Sequence, residues 1–353
     1  MKKDVIIIGQ GICGTFLHWW LEKEGVDSVV IDEFRADSPS RMASGVINPV
    51  TGRRLVDTWM IDKLLPFALN TYRQMEEELQ IPCIRETSVV DFFPSPQMRI
   101  AFTDRQSSSS PYLHFPPNEH AWSDYFEYPF GFGEIKPVLL IQLQELLKTY
   151  RKKLIEKHQL LEEKFSIDEC EITEEGIYCR DIEARHIIFC DGRSGTDNPF
   201  FRLLPFAPNK GEALVIDIPG LPRGSIFKKG MSLVPFAENT WWIGSSYEWE
   251  FENDLPTNVF RDRTVSFLKQ WLKFPFTVLD HFSSVRPATL ERRPFAGFHP
   301  LHKRIGILNG MGTKGCSLAP WFAREMAAHI AHGEPISPEA DIGRFNRILE
   351  RGG

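Results

Sequence analysis

The chain has 353 residues, of which 42% are hydrophobic, and a formal net charge of -6 at pH 7. This length allows one large domain or two interlocked domains with a sizeable core. The mildly acidic balance gives no reason to expect nucleic acid or an anionic membrane as a general partner. No stretch approaches the roughly 18 consecutive apolar residues of a membrane-spanning helix. We therefore expect a soluble, cytoplasmic protein.

The beginning of the chain and its cysteines support the same expectation. The first four residues lead directly into an apolar run that is too short for a signal peptide. Six cysteines are scattered without a Cys-x-x-Cys spacing, so neither a zinc site nor a disulfide framework is predicted. We interpret the cysteines as reduced residues that serve as small hydrophobic side chains, and we expect no metal.

A glycine motif lies almost at the N-terminus, directly after a short apolar strand. Gly9, Gly11 and Gly14 have the spacing G-x-G-x-x-G. In dinucleotide-binding folds these glycines allow a tight turn, close approach of a pyrophosphate, and close packing of the next helix. That helix, predicted over 12–24, points its positive N-terminal end at the diphosphate. A second strand ends at Asp32, where a ribose hydroxyl is met. The whole frame predicts an adenine dinucleotide; the alternative is a glycine-rich structural turn.

The next part of the chain changes character three times. A polar segment over 35–54, rich in serine and glycine, predicts a loop that offers N–H groups and hydroxyls to the cofactor. An ordinary surface loop is the alternative, and Arg53 and Arg54 are interpreted as a solvated pair. Apolar residues at helical spacing predict a helix within 57–79. The aromatic and proline-rich segment 84–132 predicts short strands and turns.

The second half of the chain is predicted to alternate between the two kinds of element. Pro137 predicts the start of a leucine-rich helix. A hairpin is predicted over 171–179, and the apolar strand 186–190 is predicted to return to the first sheet. Further predictions are strands at 213–218, 231–235 and 240–244, a helix at 257–272, a strand at 304–309, and a final helix after a second glycine-rich turn.

This order indicates a nucleotide unit that is interrupted twice by insertions. We predict a nucleotide-binding domain built from 1–56, 134–205 and 284–353. The segments 57–133 and 206–283 are predicted to form an antiparallel substrate layer over the dinucleotide sheet. The predicted fold class is therefore α/β, with interleaved rather than sequential domains.

Six groups of residues, in this order, resemble the FAD-dependent amine oxidoreductase family of D-amino-acid oxidase, glycine oxidase and sarcosine oxidase. The groups are the three glycines with Asp32, then 40–49, 189–192, 242–248, 285–289 with Arg293, Pro294 and Gly297, and 309–320. The resemblance implies a Rossmann-like, glutathione-reductase-like FAD-binding domain interleaved with a substrate domain of antiparallel sheet plus helices. Two positions depart from the family: Asp32, where Glu is commoner, and Asp191, where a small residue is usual.

The resemblance implies FAD as the cofactor. It implies non-covalent attachment, since Arg286 stands where the sarcosine oxidases carry their flavin-linked cysteine. The turn 310–315 would donate N–H groups to the flavin pyrimidine oxygen and place a helix dipole beside the charge of reduced flavin; a tight strand-to-helix connection is the alternative. The residues expected to contact FAD are Gly9, Gly11, Ile12, Cys13, Gly14, Asp32, Glu33, Ser40, Arg41, Met42, Ala43, Ser44, Asp191, Gly192, Gly310, Met311, Gly312, Thr313, Lys314 and Gly315.

Arg286, Lys314 and Tyr247 are candidates for the catalytic site, and Trp242 is considered beside Tyr247. Arg286 matches the position where glycine oxidase and D-amino-acid oxidase hold a substrate carboxylate, a task suited to a planar guanidinium; a structural pair with Glu291 is the alternative. Lys314 matches a carboxylate-binding lysine of sarcosine oxidase, and it could instead stabilise anionic flavin or cap the last strand. Tyr247 and Trp242 would either wall the cavity or pack in the core.

The resemblance also implies a reaction. A hydride passes from the Cα of a small amino acid or secondary amine bearing a carboxylate to flavin N5, the imine is hydrolysed, and electrons leave to oxygen or another acceptor. Placement, rather than a strong base, is the protein's contribution. The alternatives are an FAD-dependent 2-hydroxy-acid oxidase or dehydrogenase, an FAD enzyme that modifies a tRNA wobble base, and a non-catalytic flavoprotein.

Overall fold

The structure of the protein is a computed structural model that describes residues 1–52, 54–108 and 110–351. Arg53 lies outside the described residues. Two large β-sheets with helices packed against them make up the described part. None of the described helices is long and apolar enough to cross a membrane.

The first sheet is built around the N-terminal strand Lys2–Ile8, in which residues 5–7 are fully buried. This strand pairs in parallel with Ser28–Ile31 on one side and with Ile182–Phe189 on the other. The predicted return of the second apolar strand to the first sheet is therefore confirmed. The remaining strands of this sheet are Leu160–Leu161, Cys170–Ile172, Ile177–Cys179, Phe295–Phe298 and Ile305–Asn309.

Two long helices begin at the carboxyl edge of the first sheet. The first helix, Ile12–Lys23, follows the N-terminal strand, and the last long helix, Gly315–His332, follows the strand Ile305–Asn309. Their N-termini touch, because a Cβ placed on Gly315 would lie 3.3 Å from Cγ2 of Ile12. In open parallel sheets, ligands bind outside this carboxyl edge. The fold thus directs two positive helix ends at one place.

The second sheet is antiparallel except where Ile226–Lys229 runs parallel to Ile84–Phe92. One face packs against the segment that follows the second strand of the first sheet, since Trp242 Nε1 donates to the carbonyl oxygen of Met42 at 3.1 Å. The helix Asn258–Trp271 contributes its buried side chains to the aromatic core of this sheet. The other strands are Val46–Ile47, Leu113–His114, Phe132–Ile141, Asn209–Asp217, Met231–Pro235, Trp241–Gly244 and Thr277–Arg286.

Of the remaining helices, one was predicted from the sequence and one was not. The predicted helix within 57–79 spans Ile61–Leu79, starting late because Val56–Asp57 pairs with Val50–Thr51 as a short hairpin. A helix at Pro96–Ser107 was not predicted. It is mostly exposed and so lacks a strong apolar period, although Ser95 caps it. Two short helices are Pro39–Met42 and Asn346–Leu349.

The prediction that Pro137 starts a helix is wrong. Pro137 lies inside the strand Phe132–Ile141, and the helix spans Leu143–Glu156. The missing proline N–H is tolerated because the register with the neighbouring strand shifts between Thr87 and Val89. The predicted domain boundary at 134 therefore falls within a strand of the second sheet, and the domain division stays a prediction.

The prediction for the cysteines also needs correction. The hairpin predicted over 171–179 is confirmed as Cys170–Ile172 paired with Ile177–Cys179. Its register places Cys170 opposite Cys179, with Cα atoms 4.1 Å apart, and the two form a disulfide. Scattered spacing in the sequence does not reveal such a cross-strand pair. The four other cysteines are free and buried, as expected of small hydrophobic side chains.

Candidate functional site

The first glycine turn is packed too tightly to hold side chains. Gly9 has φ of +99°, and a Cβ there would lie 2.6 Å from the carbonyl oxygen of Cys190. A Cβ on Gly14 would lie 1.9 Å from the carbonyl oxygen of Gly9. The first helix therefore approaches the sheet as closely as backbone allows. A Cβ on Gly11 would meet Ser40 Oγ at 3.2 Å, so the helix N-terminus is open only while this residue stays small.

The N–H groups at this helix end are available to an anion. Ile12 N donates to Ser40 Oγ at 3.1 Å. In the described part of the chain, the first-turn N–H groups of Cys13 and Gly14 have no acceptor. Burial, together with the charge of Asp191, raises the pKa of Cys13 to about 12, so its side chain is a neutral thiol. This cradle fits the diphosphate of a dinucleotide.

Asp32 ends the second strand, as the sequence predicts, but its carboxylate is already engaged. Oδ1 accepts from Gln10 N at 2.9 Å, and Oδ2 accepts from Arg151 Nη1 at 2.6 Å. Arg41 Nη2 lies 3.9 Å from Oδ2. Arg151 was not predicted. The sequence feature that could have indicated it is the position of Arg151 on the apolar face of the helix Leu143–Glu156, where a charged side chain is buried.

The loop after the second strand is fixed between the two sheets. Arg41 Nη2 donates to Gln10 Oε1 at 3.0 Å, and burial lowers the pKa of Arg41. Gln144 Nε2 donates to the carbonyl oxygen of Arg41 at 2.7 Å. The carbonyl oxygen of Met42 accepts from Trp242 Nε1. The neighbouring Ala43 and Ser44 are half-buried. Glu33 is exposed, and the structure does not place it in this cluster.

Asp191 joins the carboxyl ends of two strands of the first sheet. Asn309 Nδ2 donates to its Oδ1 at 2.9 Å, and Asn198 Nδ2 donates to its Oδ2 at 3.1 Å. Burial raises the pKa of Asp191 to about 6, although the two amide hydrogen bonds oppose this shift. The next residue, Gly192, has φ of +58°. The acid that departs from the family pattern is thus a structural link between strands.

The second glycine turn docks against the chain that follows Arg286. Gly310 has φ of +79°, and a Cβ there would lie 2.7 Å from Thr289 Cγ2. Gly312 N donates to the carbonyl oxygen of Pro287 at 3.2 Å. These contacts bring the turn that carries Lys314 beside Arg286. Within the turn, Met311 is buried and Thr313 is exposed.

Arg286 is held by neutral groups. Nη1 donates to Asn209 Oδ1 at 2.7 Å, and Nη2 donates to Ser245 Oγ at 2.8 Å. The guanidinium crosses directly over Gly211, because a Cβ there would lie 1.8 Å from Nη2. Burial lowers the pKa of Arg286. These three supporting residues were not predicted, since only the pairing of distant strands brings them together.

The alternative role considered for Arg286, a structural pair with Glu291, is not what the structure shows. Arg344 Nε lies 3.2 Å from Glu291 Oε2. In the described part of the chain, Arg286 has no carboxylate partner. A half-buried guanidinium with neutral partners retains a charge that an external carboxylate can neutralise.

The loop beside Arg286 is fastened to the strand Asn209–Asp217 by backbone bonds. Ser246 N donates to the carbonyl oxygen of Glu212 at 3.2 Å, and Glu248 N to that of Lys210 at 2.9 Å. Tyr247 lies between these anchors. Its ring centroid is 5.7 Å from Arg286 Cζ, and its side chain is 49% exposed. Tyr247 therefore stands at the mouth of the site, whereas Trp242 is buried.

Lys314 precedes the last long helix and is partly buried. Burial lowers its pKa to about 8, and the nearby charges of Arg293 and Arg292 act in the same direction. The structure thus places Tyr247 beside Arg286, and the turn that carries Lys314 docks against the residues that follow Arg286. The expected FAD contacts, apart from Glu33, lie along the edge where the two long helices begin.

A glycine turn that opens a helix at the carboxyl edge of parallel strands is the arrangement of a dinucleotide-binding protein. A family model described as DAO, FAD dependent oxidoreductase, matches residues 4–329. The protein belongs to this family. It is an FAD-dependent oxidoreductase, and its glycine turns and convergent helix ends fit that cofactor.

Solved structures share the fold along their whole lengths. Glycine oxidase from Geobacillus kaustophilus superposes with a TM-score of 0.79 at 14% sequence identity, covering 98% of both chains. Iminodiacetate oxidase from Chelativorans sp. BNC1 has a TM-score of 0.75 at 18% identity, covering 97% of this chain and 98% of its own. L-proline dehydrogenase from P. horikoshii has a TM-score of 0.74 at 18% identity, covering 98% of both chains. At sequence identities this low, these superpositions establish a common fold and nothing more.

Replacing Gly11 with leucine is expected to give a folded protein without flavin. The backbone at Gly11 is extended, so leucine is tolerated there, but its side chain would cover the N–H groups at the helix end. The measurement is the flavin-to-protein absorbance ratio, with circular dichroism to confirm folding. Gly224→Ala is the control, because a Cβ at Gly224 meets nothing within 4 Å. Full flavin content in Gly11→Leu would place the diphosphate elsewhere.

Asp191→Asn is expected to change how stability depends on pH. The folded-state pKa of Asp191 is raised to about 6, so ionisation costs the wild type stability as the pH rises through that range. From pH 5 to pH 8, the free energy of unfolding of the variant should therefore rise by about 1 kcal/mol relative to that of the wild type. This difference between the two pH values does not depend on any constant cost of the substitution itself. Urea unfolding at both pH values measures this. Exposed Asp262→Asn should show no such change; an equal pH response of wild type and Asp191→Asn would contradict the assignment.

Gly211→Ala is expected to displace the guanidinium of Arg286 without unfolding the protein. The new methyl group collides with the movable end of a side chain rather than with backbone. Affinity for carboxylate-bearing substrates should fall by at least about tenfold, as expected for a lost charge-assisted hydrogen bond. Flavin content should stay at the wild-type level, as it should in the Gly224→Ala control. Unchanged substrate affinity would show that Arg286 does not have to lie over Gly211.

Proposed function

We propose that this protein oxidises the C–N bond of a small amino acid or secondary amine that bears a carboxylate. Arg286 carries the proposal: it is half-buried, held by neutral partners, and lacks an acid partner in the described part of the chain. The names of the similar structures, glycine oxidase, iminodiacetate oxidase and L-proline dehydrogenase, support this substrate class.

Arg286 would fix the substrate through its carboxylate. Its contacts with Asn209, Ser245 and Ser246 leave guanidinium N–H groups free for a substrate. Those N–H groups offer a planar fork that matches a carboxylate. The neutral supports orient the fork without competing for its charge. Holding the carboxylate in this way fixes Cα relative to the edge of the first sheet, which is the protein's main contribution to rate.

Bound FAD supplies a two-electron acceptor, with N5 taking the hydride. The residues proposed to hold it are those of the first glycine turn, the loop 40–44, and the turn 310–315. Asp32 is proposed to face the ribose, with Arg151 balancing its charge. We retain the division into an FAD-binding domain of 1–56, 134–205 and 284–353 and a substrate domain of 57–133 and 206–283, with Phe132–Ile141 belonging to the second sheet.

Two half-exposed aromatic rings lie on the same loop beside Arg286. Tyr247 lies half-exposed beside Arg286 and packs edge-on against Trp249, with ring centroids 5.3 Å apart. We propose that this pair excludes water from the carboxylate and strengthens its attraction to the guanidinium. The imine product would then leave past the same two rings and be hydrolysed.

The electron acceptor and the location are proposals as well. We propose that electrons leave to oxygen or another acceptor and that the protein acts in the cytoplasm. Four free, buried cysteines support a reducing compartment, whereas the Cys170–Cys179 disulfide does not. The formal net charge of -6 supports the expectation that nucleic acid is not a general partner.

Arg286→Ala is expected to keep its flavin and lose substrate binding. The value of kcat/KM should fall about 100-fold, since two charge-assisted hydrogen bonds to the carboxylate are removed. Anaerobic bleaching of the flavin absorbance by a panel of amino acids, secondary amines and 2-hydroxy acids is the measurement, with peroxide followed in air. The matched control is Arg261→Ala, an exposed residue on the helix Asn258–Trp271.

The panel separates the candidate activities. Bleaching by amines alone supports the proposal, and bleaching by 2-hydroxy acids alone replaces it with the rival oxidase. A protein that no member bleaches would not be an amine oxidoreductase of this kind. Wild-type kinetics in Arg286→Ala would disprove the role of this arginine.

A further inference from the structure

The segment 246–257, which we call the strap, leads from the second sheet into the helix Asn258–Trp271. It carries Tyr247, which lies beside Arg286, and Trp249, which packs on that tyrosine. More than half of the strap residues are exposed. An exposed segment of this length keeps one position only if its ends are held, because ordering each residue costs conformational entropy.

The N-terminal end of the strap is held by the backbone of two residues on the strand Asn209–Asp217. Ser246 N donates to the carbonyl oxygen of Glu212 at 3.2 Å, and Glu212 N donates to Ser246 Oγ at 2.9 Å. Glu248 N donates to the carbonyl oxygen of Lys210, and Lys210 N donates to that of Glu248, both at 2.9 Å. These bonds do not depend on the side chains of Lys210 and Glu212.

The C-terminal end of the strap is held by the side chains of the same two residues. Thr257 N donates to Glu212 Oε2 at 2.6 Å, and Thr257 Oγ1 donates to Glu212 Oε1 at 2.8 Å. Lys210 Nζ donates to the carbonyl oxygen of Leu255 at 2.6 Å. Lys210 and Glu212 therefore fix both ends of the strap, one end through their backbone and the other through their charged groups.

Both charged groups are buried. Glu212 has no solvent exposure and Lys210 is 2% exposed, with Nζ 3.7 Å from Glu212 Oε1. His281 Nε2 is hydrogen-bonded to Glu212 Oε2 at 2.9 Å. A buried ion pair adds little stability compared with well-packed apolar side chains, but removing one partner leaves an uncompensated charge. Stability alone therefore does not account for these two residues, whereas the hydrogen bonds that they make to the strap give them a directional role.

The strap is connected to Arg286 through Asn209. Asn209 Nδ2 donates to the carbonyl oxygen of Glu248 at 3.0 Å, while Asn209 Oδ1 accepts from Arg286 Nη1 at 2.7 Å. Arg286 Nη1 also donates to the carbonyl oxygen of Ser246 at 3.4 Å. The position of the strap thus sets the orientation of the amide, and the amide in turn orients the guanidinium.

We propose that Glu212 is a positioning residue, whose carboxylate fixes the strap so that Arg286 and Tyr247 are in place before a ligand arrives. This inference rests on the proposed function, because it concerns how the proposed carboxylate site is kept ready. A loose strap would have to be ordered on binding, which weakens affinity without changing the bound geometry. Glu212 should therefore affect KM rather than kcat.

The first test is Glu212→Gln in the flavin-loaded protein. Glutamine keeps the size of the side chain but leaves Lys210 without its anion. Acetate is titrated, and the shift of the flavin absorption spectrum gives its dissociation constant, which should rise about tenfold. With an amine that bleaches the wild type, KM should rise by a similar factor, while kcat and flavin content stay within about twofold. A purely structural role would lower flavin content or kcat at unchanged KM.

A matched pair of variants serves even if Glu212→Gln does not fold. Thr257 and Ser95 both cap helices, with Oγ1 of Thr257 accepting from Phe260 N at 3.2 Å and Oγ of Ser95 accepting from Met98 N at 3.4 Å. Of the two hydroxyls, only that of Thr257 also donates to Glu212. Thr257→Ala should weaken acetate binding at least about threefold, and Ser95→Ala should leave it unchanged, although both lose a cap.

The position of the strap can also be measured without a ligand. Chymotrypsin cleaves after aromatic residues, and the rate of cleavage within the strap, located by mass spectrometry, reports its local opening. This rate should be at least about threefold higher in Glu212→Gln and Thr257→Ala than in the wild type and Ser95→Ala.

Three outcomes would overturn the inference. Acetate affinity and cleavage rate could stay at wild-type values in Glu212→Gln and Thr257→Ala. Equal losses of affinity in Thr257→Ala and Ser95→Ala would show a capping effect alone, and weaker acetate binding with wild-type cleavage would place the effect outside the strap. Failure of the proposed function is distinguishable, because the wild type would then neither bind acetate nor be bleached by any amine, while cleavage would still decide whether Glu212 holds the strap.

Discussion

The structure depends on keeping uncompensated negative charge away from one edge of the first sheet. Two long helices direct their positive ends there, and their N-termini are in contact. The acids that do lie at this edge are compensated. Arg151 balances Asp32, and Asp191 accepts hydrogen bonds from two asparagine amides, which oppose the rise of its pKa to about 6 on burial. The diphosphate of FAD is anionic, and an edge of this kind suits it.

Neutral partners hold Arg286 in place without neutralising its charge. A salt bridge would have fixed the guanidinium but left it no charge to offer a substrate. Instead, an asparagine, a serine and a glycine from the second sheet hold it in place. The cost is a buried cation, which shows as a lowered pKa. Part of that cost should be recovered when a carboxylate binds, which favours ligands of that charge over neutral ones.

Local signals were enough to predict the nucleotide unit, because glycine spacing, a buried strand and a helix lie within thirty residues. They failed where distant residues decide the outcome. Pro137 reads locally as a helix start, yet a register shift in the partner strand accepts it within a sheet. The supports of Arg286 come from strands that are separated in sequence, and the engagement of Asp32 by Arg151 joins positions 119 residues apart. The resemblance to a family supplied Arg286, but not its lack of an acid partner among the residues that the structure describes.

The path of the chain has a consequence for how the molecule comes apart. It leaves the first sheet after Ser28–Ile31, returns at Leu160–Leu161, leaves again for Asn209–Asp217, and returns at Phe295–Phe298. No contiguous fragment therefore contains one sheet complete without also containing strands of the other. Cutting the polypeptide between its nominal halves would strip strands from both layers, so neither could survive alone as an autonomous folding unit. The two sheets are therefore expected to fold and unfold together as one cooperative unit.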